Sequence, residues 1–553
     1  MSRIINRSIV AAFFALALPL CAAAQKDNTV PMPVVNPDTV MKHIVELSSE
    51  TYEGRLAGSE GYNRAMRYVE GELARYGVKP FDGKKWQLPF KLECNEVENA
   101  KFNVYMPGSK VKRVFSLGNE FCCAGATGRG YVDAQMVFCG YGIDNALCDE
   151  YATVDAKGKI VVVLTGLPAN HPMPQAVADR YVSLRDKARA AERHGAIGMM
   201  VVTVTPTCPD DEPQGRAWCG EMPHMPTFPV LILSHDCGRE IFHGEQMELD
   251  SAIAAIALEQ TASFALLKKA EIDINAYYSP QAGTANVVGI LEGSDAALSR
   301  EIIVVGASMD GLGMQGETCL FPSADINASG VAAVLETARL LSQTDYRPRR
   351  SVAFVLFSGS EQQYLGSRSF IADFPLLRRV EAFVNVQNIG YGDSLLVLGD
   401  NRYPALWNLA RFCDTSAHVF NNSFKELQRI WPEATITGNL KGDSVVRTSD
   451  CRFPVMRKSG NNNFLADGRY DIMLSNGKSN PRGDARAFDK IGIPSVVITT
   501  HDGMHHNHVT TDMWENIDRR ILTLATQLTS DLVAQLGEGL YQGRSQQSKL
   551  LRD

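Results

Sequence analysis

From Ile302 to Thr499 the chain alternates between short, strongly apolar runs and stretches whose apolar residues recur at helical spacing. The runs Ile302–Ala307, Val352–Phe357, Ala382–Val386, Leu395–Leu398 and Ser495–Thr499 are rich in β-branched and aromatic residues, so both faces of each need covering. Among them Val331, Val334, Leu335, Ala338 and Leu341 line one face of a helix beginning near Ala328, and further helices begin near Glu361 and Glu515. This alternation predicts an α/β fold, a mostly parallel open sheet covered by helices. Sheets of that kind hold ligands at the carboxyl ends of their strands.

That rule singles out four loops. The first strand is followed by Asp310 and then Asp325, and the second by Ser360 and Glu361. The third is followed by Gln387, and the last by "HDGMHHNHVTTD", which holds His501, His505, His506 and His508. Carboxylates and imidazoles are zinc donors, and a catalytic zinc needs three protein ligands with one position left open. Asp325, Glu361 and a histidine from the last loop supply that set.

At 553 residues the chain exceeds a single ordinary core. Upstream, Asn36-Pro37-Asp38 reads as a helix start. Tyr62, Ala65, Val69, Leu73 and Tyr76 mark a second helix that Gly77 closes. Between about 110 and 270 short apolar runs with glycine-rich turns predict strands, with one helix at "SLRDKARAAERHGA". A net charge of −7 and no Lys/Arg run argue against nucleic acid as a partner.

The first 24 residues read as a signal peptide: Arg3 and Arg7, the apolar run Ile9–Leu20, then Ala22-Ala23-Ala24. Export to the periplasm or the outside follows. Lipid anchoring at Cys21 is disfavoured by the bulky Leu20 before it. No later segment is long and apolar enough to be transmembrane. Cys208 and Cys219 flank a loop that a disulfide could close, and the absence of any CxxC pair argues against a cysteine zinc site.

Several motifs, in order, resemble metallopeptidase family 28, the co-catalytic zinc aminopeptidases. "EGRLAGSEG" resembles the family's N-terminal segment, and "VVGASMDGLG" and "PSADINASGVAAVLE" its first two site loops. "FVLFSGSEQQYLGS", "GIPSVVITT" and "HVTTDMWENID" match the later ones. "GYG", "KGKIVVV" and "HGAIGMMVV" resemble the protease-associated domain inserted in such chains. The resemblance implies a peptidase segment at 25–110, an inserted strand-rich domain at 111–272, a catalytic domain at 273–541 and a polar tail at 542–553.

It also implies roles. Asp325 stands where an aspartate bridges two zinc ions, and Glu361 and His508 stand where the remaining ligands of one ion lie. Ser308 and Gln387 occupy the histidine and carboxylate positions of the other ion, so that site is lost and one zinc, or none, is expected. Ser360 replaces the glutamate that serves as general base, for which His501, His505 or His506 would have to substitute. Asp310, which would orient the missing histidine, is expected to bond only within its own loop. Asp512 is expected to fix its loop, and Asn327, despite its Asn-x-Ser pattern, to be structural. Trp407, Trp431 and Trp514 are read as core or cleft wall. Two functions remain: an exported aminopeptidase-like protein with weak or altered hydrolysis of peptide N-termini, and a non-catalytic relative that captures a peptide or cell-wall fragment.

Overall fold

The computed structural model describes residues 33–539 except 169–170, 172, 175–177, 179–182, 205–210, 216–223, 259–261, 344–346, 393, 400–402, 404–405, 407–433, 441–442, 449–482 and 502–507. The signal-peptide and tail segments, Cys208, Cys219, Trp407, Trp431, His505 and His506 fall outside the described residues.

The principal strands, in chain order, are β1 (Gln87–Tyr105), β2 (Phe121–Cys123), β3 (Gly130–Phe138), β4 (Ile160–Leu164), β5 (Gly198–Val202), β6 (Val230–Leu233), β7 (Phe264–Leu291), β8 (Ile302–Ser308), β9 (Ser351–Phe357), β10 (Val380–Val386), β11 (Ser394–Gly399) and β12 (Ser495–His501). The principal helices are α1 (Pro37–Leu47), α2 (Glu60–Arg75), α3 (Leu184–Arg193), α4 (Ser329–Gln343), α5 (Leu365–Asp373), α6 (Ala485–Lys490) and α7 (Arg519–Gly537). No helix among the described residues is long and apolar enough to cross a membrane.

Strands β8, β9, β10 and β12 are parallel to their neighbours in the order β12-β10-β8-β9, with β11 and β7 antiparallel at the two flanks. Every residue of β8, β9 and β10 is buried, as continuous apolar strands between two helix layers require. On one face Val331, Val334, Leu335, Ala338 and Leu341 of α4 pack with α1, α2 and α7. On the other, Phe357 meets Phe370, Phe383 and Phe488 edge to face. Burying each such side chain stabilises by about 1.5–3 kcal/mol.

Local chemistry fixes the helix starts. The Asn36 carboxamide accepts the Asp38 N–H at 3.0 Å and Pro37 occupies the first helical position. Ser59 caps α2, and Gly77 (φ +81°) follows its end in the left-handed conformation. The helix expected from Glu361 starts later. Ser360–Gln362 form a single 3-10 turn, Gln363 and Tyr364 have φ of +58° and +55°, and α5 begins at Leu365. Near Glu515 there is likewise a short turn, Trp514–Asn516, before α7. Trp514 is 39% exposed rather than core.

The upstream strands form a second sheet segment in the order β3-β4-β5-β6-β2, parallel from β3 to β6. Strand β7 joins the two segments. Its first half pairs with β3, its middle with β1, and its last residues, Val287–Leu291, with β9. A boundary at 272/273 therefore falls inside one continuous strand. Cys94, Cys123, Cys139, Cys148, Cys237 and Cys319 are thiols outside any disulfide.

Candidate functional site

The candidate residues sit where the sheet rule puts them, at the carboxyl ends of parallel strands. Ser308 ends β8, Ser360 and Glu361 follow β9, Gln387 follows β10, and His501 ends β12 with His508 in the loop beyond. His508 Nε2 and Glu361 Oε1 lie 2.9 Å apart, both side chains mostly buried. His508 has φ +62°, a left-handed conformation that costs a non-glycine residue about 1 kcal/mol or more.

Asp325 lies in the turn that opens α4, just before a cis Ile326-Asn327 peptide. Its Oδ1 accepts the Gly390 N–H at 2.6 Å and the Ser329 hydroxyl at 3.2 Å. Its Oδ2 is buried and has no hydrogen-bond partner among the described residues, and the same holds for His508 Nδ1. Burial, reinforced by the nearby Asp512 carboxylate, pushes the Asp325 carboxyl well above the usual range. Carboxylate oxygens and an imidazole are donor types that a divalent cation takes. Asp325 is turned toward Gly390 and Ser329, and the set of three does not close to ligand spacing. The described residues contain one group of three donors all within 4.8 Å of one another, Asp144, Asp149 and His194 in the upstream domain. That group is a solvated ion-pair cluster: Asp144 pairs with Arg193 (2.9 Å) and His194 (3.3 Å), and His194 stacks on Tyr151.

The other half of the site is filled by neutral contacts. Asn327 donates to the Ser308 carbonyl (3.2 Å) and to the Val386 carbonyl (3.0 Å), and its Oδ1 accepts from Gly330 and Asn388. It is 1% exposed and ties three site loops together, as expected of a structural residue. The Gln387 side chain lies against Gly483, where a Cβ would come within 2.0 Å of its Nε2.

Asp310 departs from expectation. It does not bond only within its own loop: both carboxylate oxygens accept the Ser360 N–H, at 2.9 and 3.1 Å, bridging the first and second site loops. Burial, with repulsion from Glu361, pushes it up to about 7. Asp512 fixes the Asp325 turn, accepting the Asp325 N–H at 2.7 Å and the Ile326 N–H at 3.1 Å. Burial pushes it up to about 6.

Two residues to which the sequence reading gave no role belong to the site's support. Arg55, within "EGRLAG", is fully buried and donates to the carbonyls of Leu47, Met309, Pro322 and Ser323. Its charge lies near both Asp310 and Asp512. Asp484, at the start of α6, is fully buried, and burial with the Asp310 charge pushes it up to about 7. Ser367 approaches it but commits its hydroxyl to the Tyr364 carbonyl, so both Asp484 oxygens are unpaired among the described residues. A lone Asp after a glycine gave no local signal for that burial.

The fold agrees with comparisons to known proteins. Residues 286–439 match the model of peptidase family M28, and residues 131–241 match the PA domain. The M28 match ends before β12 and His508. A probable leucine aminopeptidase of Arthroderma otae is 29% identical over 113 residues, which is 20% of this chain and 32% of that protein. The matched segment thus spans about a third of that relative's length. The aminopeptidase from Aneurinibacillus sp. strain AM-1 superposes with a TM-score of 0.53 at 18% identity, covering 90% of this chain and 93% of its own. BSAP, a zinc aminopeptidase from Bacillus subtilis, gives 0.54 at 16% identity, covering 92% and 96%. At such identities the likeness concerns the fold. Residues 286–439 are thus similar to peptidase family M28, and a segment similar to the PA domain precedes them.

Proposed function

We propose that this protein is an exported, aminopeptidase-like member of the family that binds one zinc ion through Asp325, Glu361 and His508, with weak or altered hydrolysis of peptide N-termini. The observation that carries the reading is the direct approach of His508 Nε2 to Glu361 Oε1, and the orphaned, buried Asp325 Oδ2 leaves an oxygen uncommitted. Export rests on the charged and apolar pattern of residues 1–24.

A zinc ion held there supplies Lewis-acid polarisation of a carbonyl oxygen and acidification of a water. The chain's own residues do the rest. Asp512 and Gly390 orient Asp325 through backbone N–H bonds. Asp310 fixes Ser360 and thereby aims the adjacent Glu361. Ser360 cannot accept a proton near neutral pH, and the loss of general-base help lowers the rate by roughly 10²–10⁴. The second reading, a cleft that binds a peptide or cell-wall fragment without cleaving it, draws on Ser308, Ser360 and Gln387 all being neutral.

Metal analysis of the purified mature protein tests the proposal. One zinc per chain is expected, with affinity falling at least about 100-fold in Glu361→Ala, since a direct ligand is removed. Wild-type protein that takes up no zinc, or a Glu361→Ala variant that keeps it, would overturn the single-ion site. Unimpaired turnover of aminoacyl substrates by wild-type protein would overturn the role given to Ser360.

A further inference from the structure

The loop that carries His508 is held on two sides by different parts of the chain. On the peptidase side Asp512 accepts the N–H groups of Asp325 and Ile326, and its carbonyl accepts the Ala324 N–H at 3.1 Å. On the opposite side the contacts come from the upstream domain. The Thr511 hydroxyl donates to the Glu212 carboxylate, 2.9 Å from Oε1 and 2.8 Å from Oε2. The Gly215 N–H donates to the carbonyl of His508 itself at 2.7 Å. The Thr510 hydroxyl reaches the Gly118 carbonyl at 3.3 Å.

The upstream segment is itself anchored. Gln214 is buried, and its N–H points to the Thr203 hydroxyl at 3.3 Å. Thr203 follows β5 and donates its own N–H to the Leu233 carbonyl at the end of β6. Gly215 packs so closely on Phe321 and Leu312 that a Cβ would lie 2.6 Å from the Phe321 ring. Through Asp211-Glu212-Pro213-Gln214-Gly215, the parallel strands of one domain thus reach the site loop of the other.

We propose that this segment is a positioning device: Glu212 and Gly215 of the upstream domain hold His508 in its left-handed conformation with Nε2 aimed at Glu361. A histidine at φ +62° relaxes toward ordinary backbone unless its flanks are fixed. Asp512 fixes only the far flank. The carbonyl of His508 and the side chain of Thr511 are fixed by Gly215 and Glu212. Glu212 is then a positioning residue for the histidine, acting through Thr511 without touching substrate. As far as it concerns metal affinity, this proposal rests on the zinc reading above. As far as it concerns the loop, it stands by itself.

The test uses the full mature chain and two readouts. Backbone hydrogen exchange of a peptide spanning 508–512 reports the loop whether or not zinc binds. Competition with a zinc chelator reports the site. Glu212→Ala and Thr511→Val are each expected to speed exchange of that peptide about tenfold and to weaken zinc binding about five- to twentyfold. The double variant should be little worse than Glu212→Ala alone, because that change already removes the acceptor of both the hydroxyl and the N–H of Thr511. Glu212→Gln keeps an acceptor oxygen and is expected to restore both readouts to within about twofold. Should Glu212→Ala fail to fold, Thr511→Val decides from the other end of the bond. Unchanged exchange at 508–512 in a folded Thr511→Val variant would overturn the proposal. Faster exchange in a protein that binds no zinc would uphold the clamp and remove the metal reading alone.

Discussion

At the ends of β8 and β10, Ser308 lies against Asn327 and Gln387 against Gly483, a neighbourhood of amides, carbonyls and a hydroxyl. Across the cleft, beyond β9 and β12, Glu361 and His508 face each other at 2.9 Å. Parallel strands of one sheet lie beneath both halves, so the halves differ in side-chain charge while sharing the scaffold. The comparison teaches that one sheet can carry a charged pair at one set of strand ends and neutral side chains at the other. Beneath both halves the environment is unusual: Asp310 and Asp484 are buried carboxyls with raised pKa values, and the fully buried Arg55 lies near Asp310.

Refilling the neutral half offers the largest expected change. Ser308→His, Ser360→Glu and Gln387→Asp combined should raise aminoacyl-substrate hydrolysis by roughly 10² or more, the range restored by a general base. If Ser360→Glu alone matched the triple variant, the two-ion account of the neutral half would be broken. Asn327→Ala comes next. It removes the bonds to the Ser308 and Val386 carbonyls and leaves buried backbone groups unpaired, so urea titration should show a loss of about 2 kcal/mol.

The last effect concerns Asp484 and depends on pH. A carboxyl whose folded pKa is raised to about 7 favours the folded state below its unfolded pKa, and that contribution is lost as pH rises toward 7. Asp484→Asn should therefore stabilise the protein by roughly 4 kcal/mol at pH 8 and have little effect near pH 4. A variant equally altered at both pH values would show that Asp484 is paired, and the contrast between the halves would need revision.

Much of the peptidase domain was legible in the sequence because its strands are buried on both faces. Each predicted run, from Ile302–Ala307 to Ser495–Thr499, lies within an observed strand, off by a residue or two at its ends. The loop residues followed, since the strand ends determine where side chains can converge. Contacts joining distant segments were illegible. Nothing near Glu212 announces Thr511, 299 residues away, and nothing near Arg55 announces the carbonyls of Met309 and Ser323. Asp310 was misjudged for the same reason, because its partner Ser360 lies 50 residues on. The delayed start of α5 reflects Gln363 and Tyr364, whose positive φ values no apolar periodicity encodes.

Strand β7 has a mechanical consequence. A linker between two bodies lets them swing; a 28-residue ribbon laddered to β3, β1 and β9 makes any opening of the cleft a matter of bending a beam. Beams yield where their lacing is uneven, and here the pairing with β1 slips at Asn275/Ala276 and between Ser279 and Ala282. Flexing between the two sheet segments would then be concentrated in that short stretch.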